Sequence, residues 1–171
     1  MSFEVSAAVH AKASVSAQTT LTPGDQDRGW ENRWEDIERG LENLLKPQTG
    51  PCAADSIQAA EQELTWFYGL AYHLKDLLIP EIPRQTIEST ITNTPDLALL
   101  CDLAHLTKHG HLRQIRSGVA PEIVSREGSS CEGGWRLIVT IQHGADTHDG
   151  LDVARAAVAA WRQTLTRWAL I

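Results

Sequence analysis

Apolar residues fall at alternate positions from Phe3 to Ala17 (Phe3, Val5, Ala7, Val9, Ala11, Ala13, Val15, Ala17), with Glu4, Ser6, His10, Lys12, Ser14 and Ser16 between them. A period of two predicts a long strand over Met1–Gln18 with one apolar face. After the turn at Thr22-Pro23-Gly24-Asp25 the period changes. Trp30, Trp34, Ile37, Leu41, Leu44 and Leu45 recur every three or four residues and predict a helix from about Arg28 to Lys46, which Pro47 and Pro51 stop. The strongest pattern is Ile57, Ala60, Leu64, Phe67, Ala71, Leu74 and Leu78. A second stripe, Trp66, Leu70, His73 and Leu77, runs beside it, and the combined width predicts a helix over Ile57–Ile79 enclosed within a bundle.

Pro80 and Pro83 end that helix, and a short helical piece holds Ile87 and Ile91. Thr94-Pro95-Asp96 then reads as N-cap, N1 proline and acidic N2 of a helix that runs to His109 and stops at Gly110. From His111 to Gly144 the chain reads as a long hairpin: a broken run with Ile115, Val119, Ile123 and Val124, a loop over Glu127–Gly134, and a strand over Trp135–Gln142. A polar turn over Asp146–Gly150 leads into a last helix with Leu151, Ala154, Val158, Trp161, Leu165 and Trp168. The expected fold is α+β and one domain over 1–171. About four helices, within 28–110 and 150–171, accompany a small antiparallel sheet made by the N-terminal strand (1–20) and the hairpin (111–144).

Composition narrows the class. The 171 residues are 42% hydrophobic and 22% charged, as in ordinary globular domains, and the length suffices for a core without a metal or disulfide staple. Fifteen basic against 22 acidic residues give a net charge of −7, which disfavours nonspecific adhesion to nucleic acid or anionic membrane. Cys52, Cys101 and Cys131 are widely spaced with no CxxC pair and read as free thiols. No signal-peptide pattern or long apolar run is present, so a cytoplasmic location without membrane association is expected.

Against the acidic background, Leu103 to Ala120 contains no acid. Lys108, His109, His111, Arg113 and Arg116 gather there as a candidate site for a phosphate-bearing ligand, an RNA backbone or an acidic protein partner. The plainer reading is that these cations complement helix C-terminal carbonyls. Asp102, His105 and His109 share a helix face at i, i+3 and i+7, and His73 and Asp76 are i, i+3 neighbours. If the Ile57–Ile79 helix is enclosed by its neighbours, His73, Asp102, His105 and His109 can hold one divalent metal, making a small metal-dependent enzyme the alternative function. His143, Asp146, His148 and Asp149 form a lesser group that equally suits turn and capping roles. No HExxH, GxSxG or phosphate-loop motif occurs, and no cysteine has a basic partner that marks it as a nucleophile.

Trp66-Phe-Tyr-Gly-Leu-Ala-Tyr-His-Leu-Lys-Asp76 and Thr94-Pro-Asp-Leu-Ala-Leu-Leu-Cys-Asp-Leu-Ala-His-Leu-Thr-Lys-His109 resemble a set of small bacterial proteins with HEPN-like helical bundles. In these a FYHLKDW-like helix precedes a DLxNxxKH helix, a short β segment and a Trp-containing terminal helix. The resemblance covers Trp66–His109. His73, Lys75, Asp76, Asp102, Lys108 and His109 match, while His105 stands where the pattern has Asn. HEPN ribonucleases carry Arg, four to six residues and then His on a helix. The one such spacing here, Arg136 to His143, falls in a predicted strand. The resemblance therefore implies a noncatalytic bundle, as a homodimer, that binds RNA or a protein partner in a defence or toxin-related system. The expectation is a binding or interaction module rather than a nuclease.

Overall fold

Five helices form among the described residues, and local sequence accounts for several of their ends. The computed structural model describes residues 29–171. Helix α1 spans Trp30–Leu44 and buries Trp30, Trp34 and Ile37. Helix α2, Ala54–Leu77, is unbroken and buries Ala60, Leu64, Phe67, Ala71 and Leu74 in alternating steps of three and four. After the Pro80/Pro83 corner come α3, Arg84–Asn93, and α4, Pro95–His109, the latter begun by an N1 proline and ended by Gly110 at φ +71. Helix α5, Gly150–Arg167, is capped by Asp149, whose carboxylate accepts the Leu151 N–H at 2.8 Å.

The sheet is an antiparallel meander of β1 (Glu122–Cys131), β2 (Gly134–His143) and β3 (Asp146–Asp149), in that order. Trp135, Leu137, Val139 and Ile141 alternate into the core from β2. The sheet packs against α2 and α5, and one continuous apolar core joins it to all five helices.

Three expectations need correction. Among the described residues the third strand of the sheet is β3, where the sequence predicts a polar turn, and the strand expected over Met1–Gln18 lies outside the described residues. The loop expected at Glu127–Gly134 is largely β1, because its glycine marks a close approach: a Cβ on Gly128 would collide with Cys52 Sγ and crowd Trp135. Gly134, at φ +150, likewise sits against the Gln48 carbonyl, where Gln48 and Trp135 exchange backbone hydrogen bonds of 2.7 and 3.1 Å. Finally, α2 is continuous but not enclosed. Its second stripe faces outward, with Trp66 65% exposed, His73 exposed, and Leu70 and Leu77 half-buried.

Among the described residues no helix is long and apolar enough to cross a membrane.

Candidate functional site

Asp102 is the buried anchor of the region. It sits on α4 between Cys101 and Leu103, 0% exposed, and a carboxylate there needs donors to replace water. The chain returning from Gly110 supplies them. The Arg116 N–H reaches both carboxylate oxygens at 3.0 Å, the Ser117 N–H reaches Oδ2 at 2.8 Å, and the Ser117 hydroxyl donates to Oδ2 at 2.6 Å. The irregular segment 110–121, expected to be hairpin, is thereby held across the end of α4.

The Arg116 side chain adds a second tie. Its Nη1 lies 2.6 Å from Glu88 Oε2 on α3, while Lys75 Nζ on α2 donates to Glu88 Oε1 at 2.7 Å and stands 4.6 Å from the Tyr72 ring centroid. Burial pushes Glu88 up, but the two cations outweigh it and hold the carboxyl below its usual range. Burial likewise works against the charges of Lys75 and Arg116, and their bonds to Glu88 overcome it, so both are raised. Two cations share one carboxylate, leaving the cluster with one positive charge.

His105 bridges this cluster to the surface. It meets Tyr72 edge-on at 5.0 Å, and its Nδ1 lies 3.8 Å from Cys101 Sγ. His105 thus stands beside Cys101 at the i, i+4 spacing of the helix. The pair is not an activated nucleophile. Burial, with Arg116 and Lys75 nearby, lowers the His105 pKa, and burial raises that of the Cys101 thiol, so the neutral forms of both are favoured.

Outside His105 opens a pocket of about 370 Å³ lined by His105, His109, His111, Arg113, Gln114 and Arg116. Among the described residues no carboxylate lines it. His111 Nδ1 lies 2.9 Å from the His109 carbonyl, which can only accept, so the proton is on Nδ1 and Nε2 is left for another partner. The structure thus brings together four of the five predicted ligand-binding residues and adds His105 and Gln114. Lys108 departs from the prediction: it lines a neighbouring groove between α2 and α4 rather than this pocket. Arg116 contributes less than expected because Glu88 takes up its guanidinium.

The predicted metal set of His73, Asp102, His105 and His109 is not assembled. Asp102 turns inward to the 110–121 segment, His73 bonds Asp76 at 2.9 Å, and the His105 and His109 ring centroids are 6.4 Å apart. Three residues apart on a helix places side chains on a similar side, but Asp102 lies toward the core edge and His109 beyond it. In the second group Asp149 is the α5 cap and the His143 and His148 rings lie 6.1 Å apart. Among the described residues no group of three or more His, Cys, Asp or Glu side chains converges on a metal position.

Arg136 and His143 lie seven positions apart on β2, an odd separation that places them on opposite faces of the strand. Compared with protein-family models, curated proteins and solved structures, the chain has no match in any of the three.

Proposed function

We propose that the protein is a cytoplasmic, noncatalytic binding module whose pocket at the end of α4 takes a phosphate-bearing ligand. The observation that carries this reading is the lining of that pocket: three imidazoles, two guanidiniums and an amide, with no carboxylate among the described residues, in a chain of net charge −7. Arg113 is exposed and forms no ion pair among the described residues, which leaves its guanidinium for charge-assisted hydrogen bonds. The anchoring of Arg116 and Ser117 on Asp102 fixes the segment that presents it, so little ordering is required on binding.

Titration calorimetry with inorganic pyrophosphate tests the reading. Affinity is expected to fall as salt rises from about 50 to about 300 mM, and to fall by about tenfold in Arg113→Ala, the loss of one charge-assisted contact. Absence of binding, or binding indifferent to both salt and Arg113, contradicts it.

A further inference from the structure

We propose that the α2–α4 groove beside the basic pocket is the base-binding half of a site for a free nucleoside phosphate, with the nucleobase stacked on Trp66 and the phosphates in the pocket. This rests on the phosphate reading above and extends it to a ligand class.

The groove has a volume of about 800 Å³, within the range of small-molecule sites and more than a lone phosphate fills. It shares His105 and His109 with the basic pocket, so the two cavities meet at those rings. Tyr72 is packed against His105, whereas Trp66 presents its indole to the groove, 65% exposed on a helix whose neighbouring aromatic residues, Phe67 and Tyr68, are buried. An open indole is a stacking platform for an aromatic ring, and it discriminates little among bases.

Gln58, Gln62 and Thr65 line the groove on the same helix as Trp66, the glutamines about two turns and one turn before it and Thr65 next to it in the chain. Their amides and hydroxyl offer donors and acceptors without charge, as the edge of a nucleobase requires. The charges also suit an anion. Among the described residues the single carboxylate in the lining, Glu61, is ion-paired with Arg126, while Arg33 and Lys108 contribute positive charge.

Size separates a free nucleotide from a strand. A single-strand track uses successive aromatic platforms and a line of backbone cations. Among the described residues Trp66 is the one large aromatic ring exposed in this groove, and two of the nearby arginines, Arg116 and Arg126, are held by Glu88 and Glu61.

The test is calorimetry on the full chain with the four ribonucleoside 5′-diphosphates, inorganic pyrophosphate and a single-stranded RNA of about twelve nucleotides. Nucleoside diphosphates are expected to bind about tenfold tighter than pyrophosphate, in keeping with one stacked base. Trp66→Ala should bring them down to the pyrophosphate level without changing pyrophosphate itself, and Trp66→Phe should keep most of the gain. Trp66 is exposed, so an unchanged circular dichroism spectrum is expected for both variants. If nucleoside diphosphates bind no tighter than pyrophosphate, or Trp66→Ala leaves them unaffected, the inference falls while the phosphate reading stands on its Arg113 dependence. If neither probe binds, both fall. RNA binding more than about tenfold tighter than the diphosphates overturns the free-nucleotide assignment in favour of a strand.

Discussion

Asp102 receives the Arg116 N–H on both of its carboxylate oxygens, each at 3.0 Å, from a chain position fourteen residues away. The same arginine reaches back with its guanidinium to Glu88, so one residue is held at its backbone by α4 and at its side chain by α3. The stretch between Gly110 and Ser117, which carries His111 and Arg113, is suspended between these ties.

Removing the carboxylate should therefore weaken both stability and binding. Asp102→Ala leaves the Arg116 and Ser117 amides without their buried acceptor, a loss of about 3 kcal/mol for charged hydrogen bonds of this kind. At this chain length that is a lowering of Tm by about 6–12 °C in differential scanning calorimetry. Asp102→Asn keeps one acceptor oxygen and should lie between wild type and Ala. A change below about 0.5 kcal/mol in Asp102→Ala, the range of ordinary surface substitutions, would show that the segment is held by something else.

Arg113 presents the opposite case. It is exposed and forms no ion pair among the described residues, so Arg113→Ala should leave Tm within the small range of surface changes while reducing pyrophosphate affinity. Thermal melts and calorimetry on the same preparation separate the two effects. A large stability loss in this variant would mean that its side chain has a structural role.

The pH dependence follows from His105. Its folded pKa is lowered, by burial first and then by Arg116 and Lys75, so below the ordinary histidine value of about 6.5 the unfolded chain takes up the proton more readily. Stability contributed by keeping this ring neutral is present above that value and is lost as pH falls through it toward the folded pKa. Denaturant midpoints between about pH 7.5 and about pH 5.5 should decline in wild type and decline less in His105→Gln. An anion in the pocket favours the protonated ring, so pyrophosphate should raise the His105 pKa in an NMR titration. An unshifted His105 in the presence of saturating pyrophosphate would place the anion elsewhere.

Gly134 tests the junction between β2 and the segment after α1. A side chain there would strike the Gln48 carbonyl at a φ of +150, a conformation left to glycine. Gly134→Ala should cost about 2 kcal/mol or more, read from urea unfolding with an unchanged slope. Wild-type stability in that variant would show that the Gln48–Trp135 pairing is dispensable.

The parts legible in the sequence are those set by local spacing. The Ala60-to-Leu78 stripe of α2, the Pro95 start and Gly110 stop of α4, and the alternation of β2 all follow from one residue's relation to its near neighbours. Apolar character alone did not reveal which side of α2 is covered, and of the Trp66, Leu70 and Leu77 stripe, expected inside, Trp66 and Leu70 line the groove. Strand β1 was hidden by Gly128, Ser129 and Ser130, a composition that reads as a loop, although the bare Cα of Gly128 serves close approach to Cys52 and Trp135. Strand β3 was hidden because Asp146–Asp149 is polar throughout and takes its order from pairing with β2.

For the site, the acid-free run from Leu103 to Ala120 pointed to the right surface. The sequence could not show that Asp102 faces the 110–121 segment rather than His105 and His109, because that contact depends on where a distant loop returns. It could not show the sharing of Glu88 by Lys75 and Arg116 for the same reason.

The most direct measurement is an amide chemical-shift map of the full chain titrated with pyrophosphate. Saturable shifts should gather on His109 to Ser117, with His143 and His148 on the β2–β3 edge unmoved. Absence of saturable shifts, or shifts centred away from the end of α4, would contradict the account.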